Sequence, residues 1–190
     1  MPAYGKFNVL LLIILMLIAS NSYAVEDFKV ESATVSKIGN GYVLDALIKY
    51  PLTPRVVEAL DNGVPITFIQ QIRLIRSIPL LGKYWQWEKT RWQTALNYQL
   101  RYHALSKLYI LLSLDTRHQR TFPSLQAALD ALGKIEAFSL PPKHLSDTLV
   151  TQLQLRSGLD LHALPTPMRP GALISNKWQL TSPWVTAKWR

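Results

Sequence analysis

Between Trp92 and Tyr102 every second residue is aromatic, aliphatic or threonine: Trp92, Thr94, Leu96, Tyr98, Leu100 and Tyr102. The residues between them are Gln93, Ala95, Asn97, Gln99 and Arg101, with His103 beyond. A period of two sends these sets to opposite faces of a strand, so this segment has one buried and one polar, basic face. The link Ala104 to Lys107 then leads into the apolar run Leu108–Leu114, which predicts an antiparallel hairpin.

The same pattern recurs at Val64–Leu74 and at Leu149–Leu161. A third case is the pair of segments Phe28–Lys37 and Tyr42–Tyr50, joined by Gly39-Asn40-Gly41, residues that tolerate the positive φ of a tight turn. Two helices interrupt the strands. One runs from a Thr53 cap with Pro54 at its first position to Gly63; the other spans Phe122 to Gly133. The Pro-rich stretch Leu164–Gly171 reads as a stiff extended loop. Trp178–Leu180 and Trp184–Arg190 read as a last strand broken at Pro183. The fold expected is mostly β: an antiparallel β-sandwich with two short helices.

The first 24 residues have the order of an export signal. Lys6 precedes the apolar run Val9–Ala19, and Ser22 and Ala24 supply the small residues of a cleavage site. The run is shorter than the roughly 20 apolar residues of a membrane span. The expected organisation is a signal peptide over residues 1–24 and one β-rich domain over 25–190, in the periplasm, or membrane-anchored if the signal is retained. There is no cysteine in the chain, which excludes disulfides, thiol catalysis and a lipid-bearing cysteine.

The positive charge is concentrated. Arg73 to Arg120 carries nine Lys or Arg against Glu88 and Asp115, a net +7 of the +8 expected after signal removal. A one-sided basic surface follows. If alternation continues upstream of Trp92 without a bulge, Trp85, Trp87, Lys89 and Arg91 share one face beside the turn at 79–83. With Arg101 they are the candidate binding residues, because Trp and Arg dominate binding hot spots. Nucleic acid is not the expected ligand, since the rings of Trp92, Tyr98 and Tyr102 lie on the face opposite Arg101.

No HExxH, P-loop, GxGxxG or GxSxG sequence occurs. Asp160 and His162 could share a strand face and touch one metal, but no third ligand is visible. No catalytic residue, metal or cofactor is therefore assigned, and a non-enzymatic role is expected. The alternative is an enzyme whose site is assembled from residues without a motif.

Several phrases in order carry a resemblance: EALDNGVPITF at 58–68, Trp92 with LNYQLRYHAL at 96–105, and FPSLQAALDALG at 122–133. LQLRSGLDLHALPTPMRP at 153–170 and WQLTSPW at 178–184 complete the set. Together these resemble the exported domain-of-unknown-function family 4390 of Gram-negative bacteria. The resemblance carries over no catalytic residue. It implies an envelope setting and, by the neighbourhood of family genes, a link to a membrane sensor kinase. Among the matching positions Arg156, Asp160 and Arg169 are charged, and an Arg–Asp pair bracing the Pro-rich loop is expected of them, since a buried Arg needs a carboxylate partner. The function expected is a binding or interaction module of the cell envelope, with an envelope protein as partner, such as the periplasmic region of a sensor kinase. The alternative is a membrane-surface module recognising anionic lipid or glycan through its basic face.

Overall fold

In the computed structural model, which describes residues 27–79, 86–141 and 151–190, the alternating segment around Trp92 is one long strand, β4 (Gln86–His103). It lies in a six-stranded sheet of order β6-β5-β4-β3-β8-β9. Its companions are β3 (Ile66–Pro79), β5 (Leu108–Ser113), β6 (Gln119–Phe122), β8 (Thr151–Leu159) and β9 (Val185–Thr186). A four-stranded sheet of order β10-β1-β2-β7 faces it, made of β1 (Lys29–Ile38), β2 (Gly41–Lys49), β7 (Lys134–Leu140) and β10 (Lys188–Trp189). The described strands pair antiparallel except β1 with β10. The architecture is the expected sandwich.

Alternation decides what each sheet buries. Ile66, Phe68, Ile72 and Leu74 of β3, Leu100 of β4, Leu111 of β5 and Leu153 and Leu155 of β8 point inward. They meet Val35, Leu44 and Ile48 of the other sheet. Phe28, Tyr50 and Phe68 pack ring to ring at one end of this core. Burying such side chains supplies roughly 1.5–3 kcal/mol each, the main drive to fold.

Gln70 sits in the inward row of β3 and is fully buried. Its amide nitrogen donates to the Tyr50 hydroxyl (2.8 Å) and to the Leu132 carbonyl (2.8 Å). Tyr50 in turn lies 3.0 Å from the Ser157 hydroxyl, which donates to the Ile69 carbonyl at 3.1 Å. Donors and acceptors thus run in one direction through the core. Burial pushes the Tyr50 phenol up to about 12, against the opposing pull of its hydrogen bonds to Ser157 and Gln70.

The helices form where caps and stripes predict, with differences at the ends. In α1 (Pro54–Asp61) the Thr53 hydroxyl accepts from Val56 N–H, and Gly63 takes φ +78° beyond the last turn. In α2 (Leu125–Gly133) the cap is Ser124, and Phe122 belongs to β6 instead. Gly133 does not adopt positive φ. It is needed because α2 lies so close to β2 that a Cβ there would overlap the Ile48 carbonyl. The Pro-rich stretch is not wholly extended: α3 (Arg169–Ile174) starts inside it, after a 3-10 turn at Leu161–Ala163. Pro170 suits the first turn of a helix, where no N–H is required.

The C-terminal segment laces the sheets together. β9 pairs with β8 of one sheet and β10 with β1 of the other, with only the buried Ala187 between them. Ala187 N–H donates to Leu153 O (2.8 Å) and Arg190 N–H to Val35 O (2.9 Å). The opposite side of the sandwich, between β5 and β7, is bridged by α2. Among the described residues no helix is long and apolar enough to cross a membrane.

Candidate functional site

The outward face of the six-stranded sheet follows from the same register. Arg73 of β3, Arg101 of β4 and Arg156 of β8 occupy outward positions. Between them stand Gln71, Gln93, Gln99, Gln152 and Gln154. Among the described residues, the outward positions of these three strands from 69–75, 93–103 and 152–158 hold no carboxylate. Asp115, beyond β5, commits its carboxylate to the backbone and side-chain N–H groups of Asn97 (2.7 and 3.3 Å).

At the centre of this face two arginines are held in place. Arg73 stands directly across from Gln154, and Arg156 across from Gln71. Arg73 donates from Nε and Nη2 to Gln154 Oε1 (2.9 and 2.7 Å). Arg156 does the same to Gln71 Oε1 (3.0 and 2.7 Å). Both guanidinium carbons then lie against the Trp184 ring, at 3.9 and 4.7 Å from its centroid. Planar guanidinium stacks well on indole, and a cation over the ring face is attracted by about 0.5–2 kcal/mol. Trp184 is positioned by the C-terminal segment, which runs antiparallel to β8 through the Gly158–Thr181 bridge and β9.

Both arginines are half-buried, and among the described residues neither has a carboxylate partner. Neutral glutamine oxygens orient the guanidinium groups and leave their charges uncompensated. Among the described residues, Nη1 of each has no hydrogen-bond partner. Two oriented cations side by side, with no carboxylate at the neighbouring outward positions among the described residues, constitute an anion-binding arrangement.

The expected Arg–Asp brace is corrected. Arg156 points outward from β8 to Gln71 and Trp184, whereas Asp160 lies past the strand end. Asp160 caps the 3-10 turn, accepting from His162 N–H at 3.0 Å, while its own N–H donates to Thr67 O at 2.8 Å. Arg169 does brace the Pro-rich loop, but through the Leu164 carbonyl (2.7 Å). A backbone oxygen inside the loop is nearer in sequence than any carboxylate and serves the same purpose. Asp160 as a cap also removes it from a strand pair with His162. Among the described residues no group of three His, Asp or Glu could hold a metal ion.

The other candidate residues do not form one row. Trp85 lies outside the described residues, as does the side chain of Trp87, whose backbone pairs with Ile78. Register slips between Leu74 and Ile75: Leu74 faces Trp92 but Ile75 faces Thr90, leaving Arg91 as the extra residue of a bulge. Lys89 therefore stands opposite Arg76 on the Leu74–Trp92 side, and the bulge separates it from Arg91. Both are exposed. Arg101 is exposed on the outward face, with Arg73 and Arg156.

Arg73, Gln71, Gln154 and Trp184 were not among the sequence candidates. The sequence signal that could have found them is polar alternation within β3 and β8, where Gln71, Arg73, Gln154 and Arg156 punctuate apolar rows.

Residues 25–188 match the family described as Domain of unknown function (DUF4390). The chain belongs to this family. No curated protein and no solved structure matches it. Several of the family phrases fall around the arginine pair: the LQLRSGLDLHALPTPMRP stretch forms β8 and the 3-10 turn, and WQLTSPW forms the returning segment that ends in Trp184.

Proposed function

We propose that this member of the family is a non-catalytic binding module of the bacterial cell envelope, exported by its N-terminal segment, and that it takes an anionic partner on the outward face of the six-stranded sheet. The observation that carries this reading is the Arg73–Arg156 pair, oriented on Trp184 by two glutamines with no carboxylate partner among the described residues. Cations fixed before binding lose little side-chain entropy on meeting an anion.

An acidic surface of an envelope protein is the partner class that fits best, the sensory region of a membrane kinase among them. A lipid surface fits less well. Modules that lie on bilayers present apolar side chains beside their cations. Among the described residues, the exposed large apolar ones, Ile38, Leu47, Leu105, Leu114, Leu173 and Ile174, all lie off β3, β4 and β8.

A photo-crosslinking residue placed at Gln93, exposed on the basic face, tests this in intact cells. An adduct with an envelope protein is expected from position 93, and it should vanish in the Arg73→Gln/Arg156→Gln variant. The same probe at Leu47, on the opposite sheet, should give none. No adduct from position 93, or equal adducts from both positions, would overturn the proposal.

A further inference from the structure

Beside Arg156 the basic face sinks into a pocket of about 260 Å³. It arises because β8 ends at Leu159 and turns into the 3-10 helix, while the C-terminal segment 178–181 returns alongside β8. Leu159 N–H donates to Leu180 O (3.1 Å) and Ser182 N–H to Ser157 O (2.7 Å), fixing that return. Gly158 lines the pocket. A Cβ there would press on the Thr181 hydroxyl at 3.1 Å, so a side chain at this position would crowd the space.

The walls have two characters. Ile69, Leu159 and Leu161 are apolar, whereas Gln71 and Arg156 bring polar groups. Gln71 Oε1 is taken by Arg156 Nε and Nη2. Arg156 Nη1 and the Gln71 amide nitrogen, both donors, are left without a protein partner among the described residues. A pocket with apolar walls and a few converging donors is the usual form of a small-ligand site. Its volume falls below the range typical of drug-sized ligands, about 300–1,000 Å³, and suits a body the size of one side chain.

We infer that this pocket binds an organic carboxylate carrying one short branched apolar group, the carboxylate on Arg156 and Gln71 and the apolar group against Ile69, Leu159 and Leu161. The inference rests on the reading of the face as an anion site and names the ligand chemistry at one point on it. Two sources share that chemistry: a free small acid, or the C-terminal residue of a protein chain. A phosphate satisfies the donors but leaves the apolar walls uncovered.

The test titrates the purified protein, followed by NMR, with three probes: N-acetyl-Gly-Gly-Leu, its C-terminal amide, and 4-methylpentanoate. The free-carboxylate peptide should bind and the amide should bind at least about tenfold more weakly, the loss expected for a charge-assisted hydrogen bond. Tighter binding of the peptide than of 4-methylpentanoate identifies a chain terminus, and equal binding a free acid. Ile69→Trp, which fills the pocket from a residue outside the main core cluster, should abolish binding without lowering the thermal midpoint. Arg156→Gln should remove the preference for acid over amide. Equal binding of acid and amide, no binding of any probe, or binding unaffected by Ile69→Trp would overturn the inference. If polyglutamate still binds through Arg73 and Arg156 while the small probes do not, this inference alone fails. If neither binds, the anion-site reading fails with it.

Discussion

At the scale of single residues, the most informative groups are the ones held against their ordinary preference. Tyr50 keeps its proton to about pH 12 because its phenol is buried. A folded chain that holds a proton the unfolded chain releases near pH 10 loses stability as pH rises between those values. The contribution is intact below pH 10 and gone above about 12, at most about 3 kcal/mol for a shift of this size. Tyr50→Phe is therefore expected to cost about 1–2 kcal/mol at neutral pH, from the lost donor to Ser157, and to flatten part of the alkaline decline in urea midpoints. An unchanged alkaline slope would contradict this account of Tyr50. Glycines give a second contrast. Gly133→Ala drives a methyl into the Ile48 carbonyl and should destabilise by about 3 kcal/mol or more. Gly171→Ala, in α3 with nothing within 4 Å, should be neutral or gain up to about 1 kcal/mol. Comparable thermal midpoints for the two variants would show that the close approach of α2 to β2 is wrong.

At the scale of elements, β4 decides most. Leu100 is fully buried and Gln99 is on the outward face, so Leu100→Asp should cost several kcal/mol, on the order of 3–5. Gln99→Asp should stay within about half a kcal/mol. Equal urea midpoints would put the strand in the wrong register. The alternation of β4, the Gly39-Asn40 hairpin and the Thr53 cap were legible because each is local: a period of two, a turn chemistry, a hydroxyl before a proline. β6, β7 and α3 were not. β7 follows α2 with no breaker other than Gly133, which also read as a helix end, and β6 and α3 are four and six residues long. The bulge at Arg91 could not be placed from sequence, because the polar run Glu88–Arg91 has no apolar residue to mark where parity slips. The Arg–Asp brace failed for a related reason. It paired residues four apart in sequence, while the true partners of Arg156 are Gln71 and Trp184, brought in by sheet register and by the C-terminal return.

At the scale of the whole molecule, one short C-terminal segment does two things. It laces the two sheets through β9 and β10, and it lays Trp184 over the arginine pair. Stability and the basic face are thus built by the same residues, so removing residues 185–190 should lower the thermal midpoint and weaken anion binding together. Trp184→Leu should weaken binding more than it lowers the midpoint, because the lacing hydrogen bonds are made by the backbone of other residues. The central claim is that Arg73 and Arg156, rather than net charge, make this face an anion site. Its most direct test is titration with polyglutamate of the wild-type protein, of Arg73→Gln/Arg156→Gln, and of a control, Arg55→Gln/Lys188→Gln, that removes equal charge elsewhere. The expected result is a loss of at least about tenfold for the first pair and little change for the second. Equal losses for both pairs, or none for Arg73 and Arg156, would contradict it.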